Sequence, residues 1–155
     1  MQVEGPVSAV EAECERVLRS LPAWFGIEES LLEYARGTAH HPTFVIRKME
    51  QVAAFVSLRM HFEHSWEVYC IAVRAECRGK GYGKALMRHA EHWLAGRGVK
   101  FLQVKTIAPS HTSPEYAQTR AFYVSQGFVP HEVFPDLWSP RHPCLQMIKT
   151  LTGGG

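Results

Sequence analysis

The chain has 155 residues, 46% of them hydrophobic, which is enough for one domain with a substantial core. Lys and Arg number 17 against 15 Asp and Glu, so the net charge of +2 does not predict nucleic-acid binding by the chain as a whole. We find no signal-peptide pattern and no apolar run of membrane-spanning length, so no membrane contact is expected.

The cysteines predict reduced thiols. The four cysteines are Cys14, Cys70, Cys77 and Cys144; they form no C-x-x-C motif, and two of them lie in or beside apolar strand-like runs. This usage favours a cytoplasmic location over a disulfide framework. The sequence contains no Asn, which excludes N-glycosylation.

Two helices are predicted before the first long strand. Ser8 and Glu11 form a capping-box pattern ahead of apolar residues at helical spacing, and Pro22 interrupts the run that ends at Leu21. A second helical pattern begins near Ile27 and stops at Gly37.

The remaining segments predict an α/β domain with a mixed sheet. Strands are predicted at 43–47, 52–60, 67–73, 101–107, 128–134 and 144–149, with a hairpin turn at 48–51. Helices are predicted from about 83 to 96–98 and from 116 to 126, the latter capped by Gly127. The domain is expected to span 1–150 and to be followed by a disordered tail at 151–155.

The glycine-rich segment RGKGYGKAL, 78–86, lies between a strand and a helix. Its glycines allow a ligand to approach backbone N–H groups, and a helix amino terminus attracts anions. A P-loop does not fit, because Arg78 stands where its first glycine belongs and Ala85 follows Lys84. The dinucleotide fingerprint fails as well, because Lys84 replaces its third glycine. From these residues, a phosphate-binding loop and a flexible basic turn both stay open.

The order of elements and two motifs resemble the GNAT family of acyl-coenzyme A-dependent N-acetyltransferases over 52–128. The R-x-x-G-x-G/A motif of that family is matched by Arg78, Gly81 and Gly83 behind the triplet Ile71, Ala72 and Val73. A family tyrosine followed four residues later by Gly-Phe is matched by Tyr123, Gly127 and Phe128.

The resemblance implies a GNAT-like fold, with a mixed, mostly antiparallel central sheet flanked by helices, and acetyl-CoA as cosubstrate. It places the cofactor on the triplet 71–73 and on the loop, where backbone N–H groups would hold the pyrophosphate. The loop residues are Arg78, Gly79, Lys80, Gly81, Tyr82, Gly83 and Lys84. It also implies that a backbone N–H near Val73, where the strand splays from its neighbour, polarises the thioester.

Two catalytic residues are implied by the same resemblance. Tyr123 matches the family acid that protonates the departing thiolate, with core packing beside Phe122 as the alternative. Glu67 stands where some members, histone-type enzymes among them, carry a catalytic base; the alternative is a solvated carboxylate at a strand end.

The chain departs from the family pattern at three places. Tyr116 and Thr119 occupy positions where the family often has Asn and Ala, so contacts to the pantetheine arm are expected to differ. The first family strand is weak, because only MQVEG, 1–5, precedes the first helix.

Other residues have ligand-like or pocket-like placements. His61 with His64, and His89 with His92, have metal-ligand spacing, but no Cys or carboxylate set completes a zinc site, so surface positions are expected and no metal is predicted. His61 is a candidate for the acceptor pocket. The loop 108–116, with Ser110 and His111, is either a pocket wall or an ordinary connection, and Trp24 with Phe25 either line the pocket or pack in the core.

The function predicted is transfer of the acetyl group of acetyl-CoA to a primary amine of a small molecule or peptide, by direct attack on the thioester. The alternative is a non-catalytic module that binds or senses acyl-CoA. Partners other than the acceptor are not predicted, apart from a homodimer, with which the sequence is compatible.

Overall fold

The computed structural model of the chain describes residues 1–151. One seven-stranded sheet and four helices follow one another along the chain. The strands are β1 (Val3–Glu4), β2 (Thr43–Lys48), β3 (Gln51–Phe62), β4 (Ser65–Val73), β5 (Phe101–Ile107), β6 (Val129–Ser139) and β7 (His142–Thr150). The helices are α1 (Glu11–Arg19), α2 (Glu28–Gly37), α3 (Tyr82–Ala95) and α4 (Pro114–Ser125).

The sheet is mixed, as predicted, with strand order β1-β2-β3-β4-β5-β7-β6. All neighbours pair antiparallel except β4 and β5, which are parallel and joined through α3. Apolar residues of α3 pack on one face of the sheet, and those of α1 and α2 pack on the other. The predicted α/β architecture, a mixed and mostly antiparallel sheet flanked by helices, is therefore confirmed, with a hydrophobic core on each face of the sheet.

The amino terminus forms the weak first strand. Val3 pairs with Ile46 and Glu4 with Val45, so β1 adds two residues to the edge of the sheet. The capping-box prediction is wrong, because α1 begins after Val10 and no side chain caps it. Ala9 has a φ of 60° and lies in the left-handed region, which breaks the helical path between Ser8 and the first turn.

The other boundaries follow local chemistry. Met49 and Glu50, at the centre of the β2–β3 turn, both have positive φ, as a tight hairpin turn requires. Helix α4 begins at Pro114, two residues earlier than predicted, because Ser113 provides a side-chain cap and proline suits the first helical position. Gly127 has a φ of 95° and ends this helix as predicted.

Strand β6 forms the edge of the sheet opposite β1. Most of its residues are exposed, and it contains Pro130 and Pro135. After β7, the N–H of Leu151 donates to the carbonyl of Lys100 at 2.8 Å, and the rest of the predicted tail, 152–155, lies outside the described residues. Within residues 1–151, no helix is long and apolar enough to cross a membrane.

Candidate active site

A gap opens between the two parallel strands at the centre of the sheet. Strands β4 and β5 pair from Ser65 with Phe101 to Val68 with Val104, although β4 continues to Val73. The β3–β4 register shifts between Leu58 opposite Val68 and Ser57 opposite Cys70, so Tyr69 is an extra, bulged residue. The splay therefore begins at Tyr69 and not near Val73 as expected.

The glycine-rich loop lies beyond the carboxyl end of β4. Gly79 and Gly81 have φ of 72° and 88°, and no atom lies within 4 Å of where their Cβ atoms would be. Gly81 directly precedes α3, whose first N–H groups and positive dipole end favour an anion. Lys80 and Lys84 are exposed on this loop. These features fit a pyrophosphate group better than an ordinary basic turn.

Gly83 has a different role from the other two loop glycines. A Cβ on Gly83 would lie 3.1 Å from Cζ of Phe122, tighter than ordinary carbon contacts. The missing side chain therefore lets α3 pack closely against α4.

Arg78 lies on an aromatic side chain from the amino-terminal half of the chain. Its guanidinium is 4.2 Å from the ring centroid of Trp24, and burial lowers its pKa from the usual value. Trp24 Nε1 also donates to the carbonyl of Glu115 at 3.2 Å and to Thr119 Oγ1 at 3.1 Å, while Tyr116 Oη donates to the Trp24 carbonyl at 3.0 Å. Tyr116 and Thr119, the two residues of α4 that differ from the usual family residues, are thus both hydrogen-bonded to Trp24.

Tyr123 is buried on α4 close to the splayed strand. Its ring packs edge-to-face with Phe122 and Phe128, with centroids 5.5 and 5.7 Å away. Burial raises the pKa of its hydroxyl, with smaller contributions from nearby Cys70 and Tyr34. The hydroxyl therefore keeps its proton at neutral pH, as an acid must.

Glu67 lies on the face of β4 that carries Tyr69, and it is held on two sides. Its side chain is 8% exposed, so the alternative of a solvated carboxylate is wrong. His61 Nε2 lies 2.6 Å from Oε1, and Lys105 Nζ lies 3.2 Å from both oxygens. We call Glu67, His61 and Lys105 the carboxylate cluster.

Sequence reasoning missed Lys105 as a site residue. The available signal was a charged residue, Lys105, inside the predicted strand 101–107. Gln103 is in register with Glu67, and Lys105, two residues further on, points to the same face of the sheet.

Aromatic side chains border the carboxylate cluster. Tyr69 packs against His41 at 4.9 Å and Tyr34 at 5.3 Å between ring centroids, and Tyr34 packs against Phe25 at 5.8 Å. This wall belongs to the α1–α2 side of the sheet, where Phe25 packs on Tyr34 at the border of the core. Its role in lining a pocket stays a prediction.

The remaining histidines lie apart from the carboxylate cluster. His64 Nδ1 donates to the Gly98 carbonyl at 2.8 Å, and His89 packs on Phe44. His111 stacks on His142 with centroids 5.9 Å apart, whereas Ser110 is exposed. Among residues 1–151, no three His, Cys, Asp or Glu side chains are grouped as a metal site would require.

The cysteines are free and buried. Burial raises the pKa of the Cys144 thiol to about 11, with Lys105 lowering it and Glu67 raising it by smaller amounts. Burial also raises the pKa of Cys70, which lies in the splayed part of β4. Both thiols are therefore protonated near neutral pH and are poor nucleophiles.

A family model described as the acetyltransferase (GNAT) family matches residues 11–128. That range is more than half of the chain, so the protein belongs to the GNAT family of acetyltransferases. It is accordingly an acetyl-CoA-dependent acetyltransferase. No curated protein sequence matches the chain significantly.

Solved structures share the fold at low sequence identity. A GNAT-family protein from Desulfovibrio desulfuricans superposes with a TM-score of 0.81 at 18% identity, covering 97% of this chain and 99% of that one. An aminoglycoside 6'-N-acetyltransferase complexed with coenzyme A gives 0.77 at 15% identity, with 100% and 99% covered. The ribosomal-protein-S18-alanine N-acetyltransferase from Escherichia coli gives 0.77 at 19%, with 99% and 96% covered.

Acetyl-CoA fits this site on physical grounds. Open space above Gly79 and Gly81 and the start of α3 suit its pyrophosphate, and the gap beside residues 71–73 leaves backbone groups without a β5 partner for its amide-containing arm. When bound, it supplies an activated acetyl group as a thioester.

Proposed function

We propose that this enzyme acetylates a primary amine by direct attack of the amine on the thioester of acetyl-CoA. One observation carries the proposal: the anion-binding loop and the buried carboxylate cluster lie at successive positions along the splayed strand β4. This arrangement supports a site in which the acetyl group, held in the gap after Val68, lies next to a proton-accepting group at Glu67.

Backbone and side chains of the loop region would divide the binding of the cofactor. N–H groups from Arg78 to Lys84 hold the pyrophosphate, and Lys80 and Lys84 add positive charge at the surface. Backbone groups of Ile71, Ala72 and Val73 hold the arm, because the β5 side of this segment is unpaired. The guanidinium of Arg78 lies on the ring of Trp24, and Arg78 contributes to the site by anchoring the start of the loop through this contact.

The chemistry needs a proton acceptor and a proton donor. The carboxylate cluster around Glu67 takes a proton from the attacking nitrogen, and Tyr123 gives its proton to the leaving sulfur. A backbone N–H at the bulge near Tyr69, in place of one near Val73, faces the developing charge on the thioester oxygen.

Direct transfer is supported by the state of the thiols. A mechanism through an acetylated cysteine needs a thiolate, but burial raises the pKa values of Cys70 and Cys144. The amine therefore attacks the cofactor thioester itself.

The test is release of thiol from acetyl-CoA with a panel of amines: an aminoglycoside, a polyamine, free amino acids and a peptide with amino-terminal alanine. Amine-dependent thiol release with a matching mass increase of 42 Da in one acceptor supports the proposal. Acetylation only of hydroxyl groups would contradict it.

A further inference from the structure

We propose that His61, and not Glu67 itself, accepts the proton of the attacking amine, with Glu67 as the residue that positions His61 and Lys105 as the residue that holds Glu67. The inference rests on the proposed function, whose base it reassigns. It follows from how the three side chains share their polar atoms.

Three of the roughly four acceptor positions of the Glu67 carboxylate are engaged. Oε1 accepts from His61 and from Lys105, and Oε2 accepts from Lys105 as well. The Glu67 side chain is 8% exposed, whereas that of His61 is 27% exposed. An incoming amine therefore reaches the imidazole before it reaches the carboxylate.

Hydrogen bonding fixes which nitrogen of His61 is the acceptor. An ionised carboxylate only accepts hydrogen bonds, so the Nε2 atom facing Oε1 at 2.6 Å carries the hydrogen. In the neutral imidazole, Nδ1 then holds the free lone pair. Among the side chains and backbone groups of residues 1–151, none is hydrogen-bonded to this Nδ1 atom.

Lys105 explains why the carboxylate is a support and not the base. Its ammonium lies 3.2 Å from both oxygens, so the charge of the buried Glu67 carboxylate is compensated. An ionised Glu67 keeps the Nε2–H tautomer and stabilises the imidazolium that forms when Nδ1 takes a proton. The arrangement resembles in logic the carboxylate–imidazole pairs that orient a general base in other enzymes.

Protons balance in this scheme. A C–N bond forms and the C–S bond breaks, one N–H proton moves to Nδ1 of His61, and the proton of Tyr123 goes to the sulfur. Exchange with water then discharges His61 and restores Tyr123. Neither oxidant nor reductant is needed.

Several ionisable groups surround the cluster and share its pH response. The charges of Lys105 and Glu67 affect the pKa of Cys144, which lies on β7. The charges of Arg59 and Glu67 affect the pKa of His41, which precedes β2. Burial lowers the pKa of His41, so a variant of His41 is needed beside that of His61 to separate the two imidazoles, whereas burial raises the pKa of Cys144 to about 11, above the range of an imidazole.

The first experiment compares kcat/KM against pH for the wild type, His61→Gln and Glu67→Gln, with His64→Gln as the matched histidine control on the same hairpin. We expect His61→Gln to lose roughly 100- to 10,000-fold at low pH, with the deficit shrinking as pH approaches the pKa of the amine. Glu67→Gln should lose a similar factor, and the double variant should lose no more than either. Imidazole added to His61→Ala should restore rate in proportion to its neutral form.

A second readout needs no acceptor. Imidazole nitrogen NMR of the wild type should show His61 with hydrogen on Nε2, and Glu67→Gln should lose that single tautomer, since an amide can also donate. A His61→Gln enzyme with the kcat/KM and pH profile of the wild type, beside a Glu67→Gln enzyme that is impaired, overturns this inference and leaves the proposed function intact. Absence of amine acetylation by the wild type overturns the proposed function, whatever the tautomer.

Discussion

The ammonium of Lys105 lies 3.2 Å from both carboxylate oxygens of Glu67, across the parallel pair β4 and β5. Both side chains are largely buried, at 25% and 8% exposure. Each member of this ion pair compensates the charge of the other inside the protein. Removal of one side chain therefore leaves a buried charge without a counter-ion.

Lys105→Met should therefore lower the free energy of unfolding by about 1–3 kcal/mol, because the Glu67 carboxylate loses its cation. Adding Glu67→Gln to Lys105→Met should recover part of the loss, since the buried negative charge is removed. Urea denaturation of the two single variants and the double variant gives the coupling energy. Strictly additive losses would show that the ion pair is not energetically coupled.

Gly81→Asp should abolish stabilisation by acetyl-CoA, because it adds a side chain and a negative charge in the open space above the loop. In the wild type, ligand at about 100 times its Kd should raise Tm by roughly 5–10 °C. Gly98→Asp is the matched control, because Gly98 also has positive φ, 78°, and open space, but lies in the turn after α3. An equal Tm rise in folded Gly81→Asp would refute the loop assignment.

Tyr123→Phe should keep the fold and the affinity for acetyl-CoA, because the ring still packs between Phe122 and Phe128. Only the hydroxyl is lost, so kcat should fall, by at most the roughly 100- to 10,000-fold of a positioned acid. The measurement is steady-state thiol release beside a thermal-shift titration with acetyl-CoA. Unchanged kcat would mean that water protonates the sulfur.

Cys70→Ala and Cys144→Ala should remain active, because their protonated thiols take no part in acetyl transfer. Initial rates of the wild type with both substrates varied should give intersecting double-reciprocal lines, as expected when both substrates are bound together. Parallel lines, together with an inactive cysteine variant that still folds, would instead indicate an acetyl-enzyme.

Stability should fall at alkaline pH, and Tyr34 should contribute to that fall. Burial raises the pKa of Tyr34 above the value of about 10 in the unfolded chain. Below that value both states hold the proton; above it only the unfolded state releases it, so unfolding is favoured by up to about 1.4 kcal/mol per pH unit. Tyr34→Phe should flatten the decline between pH 10 and 11, relative to Tyr82→Phe, in urea denaturation. An unchanged slope would contradict the burial argument.

Much of the fold could be predicted because its signals are local. The periodicity of α2 and α3 and the β-branched strands mark their own elements, and Gly127 marks a helix end. The start of α1 could not be predicted. The sequence from Ser8 to Glu11 matches a capping box, but Ala9 takes a left-handed conformation that the sequence does not reveal.

The site was predicted less completely, because its contacts join distant parts of the chain. The motifs locate the loop, Glu67 and Tyr123, but the partner of Glu67 depends on the register between two parallel strands, which alternation alone does not give. In the same way, the bonds from Trp24 to Thr119 and from Tyr116 to Trp24 cross more than 90 residues.

The two edges of the sheet have a consequence for how this protein can associate. One edge is the two-residue β1, and the other is β6, where Pro130 and Pro135 carry no N–H groups. A further strand would find a short template on one side and an interrupted row of donors on the other. Both edges are therefore poor templates for open-ended addition of further copies strand by strand.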